Sequence, residues 1–315
     1  MRSKTIPALA VLCACLGWWR PAGAQDPARG PAAEAGGFAP LLARLPPDSH
    51  LVLLASPAQA KRTWDGIFAR LEKSPLFAKH PELGMLLAQQ RGMLKAGLAS
   101  LEAKMGFSPL DDIEQVAVGL VLAESGPPGM VAVARGRIPT GVAERMGRGE
   151  SQAIGAHQVY EIEERLVGAV AGGLLVLADR DSIAGALEPA SDASKLLARF
   201  AGLDAPGGED FLLRLRFALP AWMHELAESE DARVVRTLLG SLEQVSLEVD
   251  RNLTIVMTCK DEAGAGRAGL FLRGWKEMML GGAYMWRAYA LLLLGFDLGA
   301  MPGLPPPVQK ALSDR

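Results

Sequence analysis

The chain has 315 residues, half of them apolar, with 33 basic and 35 acidic side chains and three cysteines. That near-even, slightly acidic balance argues against nucleic-acid binding. The length suits one large domain or two medium ones with an ordinary buried core.

The first stretch, MRSKTIPALAVLCACLGWWRPAGAQ, carries Arg2 and Lys4, an apolar run from Ile6 to Trp19, and the small residues Ala22-Gly23-Ala24. This is the three-part layout of a secretory signal peptide, with cleavage expected after Ala24. The run is too short for a comfortable membrane span, and Arg20 and Pro21 close it. A rival reading takes Leu12-Cys13-Ala14-Cys15 as a lipoprotein box with a lipid anchor on Cys15. Cleavage after Ala24 would leave 30 basic against 35 acidic residues and Cys259 alone, so no internal disulfide could form. The expected location is the periplasm or cell surface, with stability supplied by core burial.

Residues 25–40 (QDPARGPAAEAGGFAP) read as a flexible tether. Leu51 to Ala55 reads as a buried strand, followed by helices over about 58–73 and 81–105 separated by Pro75 and Pro81. Trp64, Ile67, Phe68 and Leu71 paint one apolar stripe on the first of these. Ile113 to Leu122 and Met130 to Arg137 form a hairpin across Gly126-Pro127-Pro128-Gly129. A helix is expected from Pro139 to about Met146, a loop over 149–153, and a three-strand meander over 157–178. Asp179 is expected to cap a helix over 180–187, and another helix spans 194–201. Then come a strand over 211–217, helix over 220–239, and strands over 242–249 and 253–259. Residues 281–298 (GGAYMWRAYALLLLGFDL) are read as core-packing helix, because Arg287 and Asp297 suit a membrane span poorly. Residues 299–315 form a Pro-rich tail.

Glu114-Gln115-Val116 returns 129 residues later as Glu243-Gln244-Val245. The same five-element order surrounds both, which points to an internal duplication. The predicted fold is α+β: two related strand-helix-strand-strand-helix units with mostly antiparallel sheets and helices packed mainly on one face. The first unit with its meander covers 41–202, and the second, shorter one covers 203–298 with C-terminal helices. In the first unit Val116, Val118 and Leu120 alternate with Ala117, Gly119 and Val121, so both sheet faces should be covered. In the second, Val245, Leu247 and Val249 alternate with Ser246, Glu248 and Asp250. Arg214 and Arg216 share the polar parity of their strand, so either could oppose Glu248 on a solvated face. Such a pair is either a surface ion pair worth about 1 kcal/mol at most or part of a partner-binding face.

Motifs for catalysis are sparse. His224 and Glu228 lie one helical turn apart in HELAE, but the second histidine of the zinc-protease pattern is missing. Gly149-Glu150-Ser151-Gln152-Ala153 lacks the last glycine of a nucleophile elbow. Asp111, Asp112 and Glu114 could hold a hard cation, act in acid–base chemistry, or be solvated turn residues. No phosphate cradle is present, and Cys259 is expected to be buried and inert. No catalytic residue, metal ligand or cofactor is assigned. The binding candidates are Arg214, Arg216 and Glu248 on the sheet, and Trp275, Trp286 and Phe296 in the apolar C-terminal stretch.

SPLDDIEQVAVGL, the partner strand ending in VAVARGRI, and the meander ending in LLVLADRDSIAGAL resemble secreted bacterial proteins of unknown function with duplicated α/β units. The resemblance covers residues 45–260 and implies export and an α+β fold, with no catalytic residue carried over. Where that pattern has Gly before its capping Asp, this chain has Ala178. The expected function is an exported, non-enzymatic binding or structural protein of the cell envelope. The alternatives are an exported hydrolase, built on Asp111-Asp112-Glu114 or His224, and a carrier of a lipid or other apolar ligand. Expected partners are an envelope protein or an apolar ligand, with no nucleic acid and no integral membrane span in the mature chain.

Overall fold

The computed structural model describes residues 37–73, 81–148, 151–188, 194–200, 202–203, 211–226, 240–250 and 252–277. Among the described residues, ten strands carry the architecture: β1 (Leu51–Ala55), β2 (Ile113–Val121), β3 (Gly129–Gly136), β4 (Ser151–Ile154), β5 (His157–Glu161), β6 (Leu166–Ala171), β7 (Leu174–Asp179), β8 (Leu213–Ala218), β9 (Leu242–Val249) and β10 (Leu253–Cys259). They form one sheet in the order β10-β9-β8-β1-β2-β3-β7-β6-β5-β4. With its helices the fold is α+β, and short turns between successive strands set antiparallel neighbours.

The helices are α1 (Ala39–Leu42), α2 (Pro57–Glu72), α3 (Pro81–Met105), α4 (Pro109–Asp112), α5 (Val142–Met146), α6 (Ile183–Leu187), α7 (Ser194–Arg199) and α8 (Ala221–Leu226). Residues 262–277 are helical as well and are called α9. Contacts divide the chain into two compact units. One draws on Met1–Arg62, Pro109–Pro220 and Gln244–Val256, the other on Thr63–Ser108, Ala221–Glu243 and Met257–Arg315.

In the first unit, alternation along each strand puts Val52, Leu54, Ala117, Val131, Val133, Ala169 and Val176 on one sheet face. These join Leu41 and Leu42 of α1, Ile183 and Leu187 of α6, Leu196 of α7, and Phe200 in one buried cluster. Each fully buried Leu or Phe there contributes about 1.5–3 kcal/mol. Of the tether expected over 25–40, residues 25–36 lie outside the described residues, and Phe38 packs its ring edge-on against Phe211 at 5.5 Å inside this core.

Three further expectations are corrected. Residues 151–154 are not loop: Gly155 adopts φ 58°, which lets a two-residue turn fold β4 back onto β5, and the meander gains a fourth strand. Asp179 does not cap a helix. It ends β7, its carboxylate accepts the Met130 N–H, and α6 starts later, behind Ser182. The helix after Pro139 begins only at Val142, with Pro139 supplying a turn carbonyl to the Val142 N–H at 3.1 Å.

Gly136 ends the β2–β3 ladder opposite Ile113, at the end away from the connecting loop. Any side chain there would overlap the Asp112 carbonyl, because the two backbones cross where the Arg137 N–H donates to that oxygen at 2.8 Å.

In the second unit, Arg91 of α3 reaches Asp65 and Glu72 of α2 at 3.3 and 3.1 Å and lies 5.3 Å from the Phe68 ring centre. Trp64 packs edge-on against Phe68 at 4.9 Å; of the predicted apolar stripe, Phe68 is buried, Trp64 and Ile67 are half-buried, and the side chain of Leu71 lies outside the described residues. Asp261 caps α9 by accepting the Gly264 N–H at 2.5 Å. Gly264 lets the helix approach Ser241, where a Cβ would stand 2.5 Å from the serine Cβ.

Candidate functional site: a charged cluster in the sheet

The strand register places Arg214 opposite Leu54 on one side and Glu248 on the other, and Arg216 opposite Val52 and Ser246. The predicted parity holds. The predicted solvation does not: Arg214 is 4% exposed, because its face is the same one that carries the apolar core of β1 and β2.

Burying a guanidinium is costly unless its donors and charge are met. Arg214 meets both conditions. Its Nε and one terminal nitrogen donate to the two oxygens of Glu248 at 3.2 and 2.9 Å, a bidentate arrangement. The other terminal nitrogen donates to the carbonyls of Gly202 and Leu203, each at 3.2 Å. Its plane lies 5.4 Å from the Phe211 ring centre. Gly202 takes φ 72° just after α7, the left-handed conformation common at helix C-termini, which turns those carbonyls toward the arginine. Arg44 does a parallel job at the end of α6, donating to the Ala186 and Leu187 carbonyls at 2.9 and 2.7 Å.

Arg214, assisted by Arg216, holds the Glu248 carboxyl below its ordinary range, chiefly through the hydrogen bond. Arg216 is served less well. Among the described residues it donates to the neighbouring Leu215 carbonyl at 3.3 Å and stands 3.9 Å from Glu248. Burial, and then the charge of Arg214, press its guanidinium below the usual arginine range, with Glu248 opposing them. Two cations therefore share one carboxylate.

The remaining candidates separate. Asp111 pairs with Lys61, and Asp112 pairs with Arg137 at 2.9 Å. Glu114 is exposed, and its backbone carbonyl takes the Ser56 hydroxyl at 3.1 Å. Asp111 and Asp112 are thus each engaged in an ion pair. No group of three or more His, Cys, Asp or Glu that could hold a metal occurs among the described residues. Ser151 opens β4 opposite Tyr160, so it sits in a hairpin and not at a strand-to-helix elbow. Cys259 is half-buried at the end of β10 rather than buried as expected.

His50 accepts the Leu122 N–H through Nδ1 at 3.1 Å. Burial, followed by the charge of Arg199, holds it below the usual histidine range, against a weaker pull from Asp48. A neutral imidazole is the form that can accept that bond. Sequence reading passed over His50, Gly202 and Arg44; only Gly202, directly after a predicted helix, offered a signal.

Trp275 is half-buried on α9, with Leu270 and Phe271 exposed nearby in sequence. Trp286 and Phe296 lie outside the described residues, as do Glu228 and the side chains of His224 and Glu225. Among the described residues, no helix is long and apolar enough to cross a membrane. No protein family, curated protein or solved structure was found to match this chain.

Proposed function

We propose that the chain is an exported, non-enzymatic binding or structural protein of the bacterial cell envelope. Its sheet, in this reading, comes from two related halves of the sequence, and the half that supplies β8 and β9 presents a cationic site. The observation that carries the binding role is the Arg214–Arg216–Glu248 cluster, in which one arginine is fully engaged and the other is held beside it with charge to spare. Export rests on the charged, apolar and small-residue blocks of residues 2–24. The ion pairs that engage Asp111 and Asp112 weigh against the hydrolase alternative.

The strand register supports the duplication. The order β10-β9-β8-β1-β2-β3 reads the same from either end when β1 is exchanged with β8, β2 with β9 and β3 with β10. The β1–β8 ladder centres on Leu53 and Leu215. It is flanked by two equivalent hydrogen bonds, Ser56 N–H to Leu212 carbonyl at 3.0 Å and Ala218 N–H to His50 carbonyl at 2.8 Å. With Leu53 equated to Leu215, their partners Val118 and Leu247 become equivalent. Those partners are 129 residues apart, the same step that separates Glu114 from Glu243. The sequence echo and the backbone pairing are thus consistent with the same alignment of the halves, which supports this reading.

A carrier of a lipid or other apolar ligand is the second reading, favoured by exposed Leu270 and Phe271 on the helix that bears Trp275. Fractionation of cells making the full chain, followed by N-terminal sequencing and assay with ester, amide and phosphoester substrates, tests the main reading. We expect an envelope protein beginning at Gln25 with no turnover. A cytoplasmic, unprocessed product overturns export, and turnover abolished by Asp112→Asn or His224→Ala overturns the non-enzymatic role. Lipid found by mass spectrometry after gentle extraction would shift the balance to the carrier.

A further inference from the structure

Within that binding role, on which this inference rests, the two arginines of β8 divide the work. Arg214 has a bidentate carboxylate, two backbone carbonyls and an aromatic ring around it. Both oxygens of Glu248 are turned toward Arg214. Arg216 is 12% exposed, lies 3.9 Å from Glu248, and among the described residues has the single 3.3 Å bond to the Leu215 carbonyl. A guanidinium has five N–H donors in a planar fork, so most of this one's capacity remains open.

Its surroundings on the same face narrow the ligand. Val52 stands opposite on β1 and Ser246 opposite on β9. Facing residues of an antiparallel pair have Cβ atoms about 4.5–5.5 Å apart, within reach of a shared small ligand. His50, one residue before β1, extends the ladder through its carbonyl to the Ala218 N–H, and its imidazole, which accepts the Leu122 N–H, brings no negative charge. Arg214, Arg216 and Glu248 together leave one positive charge over, so a singly charged anion balances the set. A planar carboxylate matches one edge of a guanidinium with two parallel bonds.

We propose that Arg216, with the Ser246 hydroxyl beside it, is the receptor for a carboxylate group of an incoming ligand. Arg214 is then the positioning residue. It ties up Glu248, which would otherwise compete for Arg216, and anchors β8 to the end of α7.

The test is a titration followed by the Nε–Hε resonances of 15N-arginine in protein purified as the cell processes it. Assignment comes from triple-resonance spectra, so it needs no variant. Sodium acetate is exchanged for sodium chloride at constant ionic strength. A saturating shift of the Arg216 resonance is expected, larger than that of Arg214. Ser246→Ala should weaken the midpoint about 10- to 100-fold, the loss of one hydrogen bond to a charged group. A shift that stays linear to high concentration, or one equal at every arginine, overturns the site. A stronger response to phosphate than to acetate overturns the carboxylate assignment.

Benzoate and acetyl-alanyl-alanine distinguish the source. Tighter binding of benzoate supports a free apolar acid, and tighter binding of the dipeptide supports a peptide C-terminus. Absence of an Arg216 response removes the carboxylate site and leaves the non-enzymatic reading intact; enzymatic turnover removes that reading and leaves the titration to stand on its own.

Discussion

The β1–β3 and β8–β10 parts of the sheet run in mirrored strand order from the β1–β8 seam, and β1–β2 and β8–β9 fill the same face with opposite chemistry. In β1 and β2 that face carries Val52, Leu54, Ala117 and Gly119, all buried. In β8 and β9 it carries Arg214, Arg216, Ser246 and Glu248. Backbone pairing is indifferent to this exchange, since ladders use main-chain groups only. What the exchange changes is how the face is satisfied. The first half uses apolar packing, which is non-directional. The second needs carbonyls, a carboxylate and a ring placed around one guanidinium.

The largest test of this contrast is Arg214→Met. It leaves Glu248 without its main partner and should cost about 4 kcal/mol of unfolding free energy in urea titration. Adding Glu248→Leu should restore most of that loss, because an apolar replacement makes this half resemble the other. A double variant as unstable as the single one would mean that the Gly202 and Leu203 carbonyls, not the carboxylate, dominate.

Leu54→Ala in the first half should cost about 3 kcal/mol. Leu215→Ala, half-buried on the opposite face, should cost about half as much. Equal costs would show that the two faces are sealed equally well.

The smallest effect is a difference in acid response. His50 has a depressed folded pKa, so its contribution is complete above the ordinary histidine value of 6.5 and is lost as pH falls below it. Glu248 is likewise depressed, so its contribution is complete above 4.5 and is lost as pH falls below that value. His50→Asn should flatten the upper window alone and Glu248→Gln the lower one alone, both read as stability against pH. A single shared window would break the assignment.

Parity made much of this architecture readable. The bounds of β1, β9 and β10 follow directly from apolar runs and turn residues, and the opposition of Arg214 and Glu248 follows from alternation. Alternation says which side chains share a face; it does not say what covers that face. Arg214 reads as solvated because its immediate neighbours are apolar residues of opposite parity. Its cover comes from Gly202, Leu203 and Phe211, outside the strand itself. Strand β4 escaped notice because Ser151-Gln152-Ala153 is exposed and carries no apolar period. Asp179 was misassigned because a carboxylate at a strand end can cap the following helix or the neighbouring strand with equal local logic.

The central seam between β1 and β8 has a consequence for how the chain reaches its fold. Leu53 finds Val118 after 65 residues but must wait 162 for Leu215. The entropy difference between those two closures is only about 1 kcal/mol, since it grows with the logarithm of loop length. The delay is a matter of order. Hairpins on either side can form locally, and β1 keeps one bare edge until residue 218 is available to complete the ladder. A chain interrupted before that point would carry Leu51-Val52-Leu53-Leu54 at an unpaired edge, a template for joining another copy of itself.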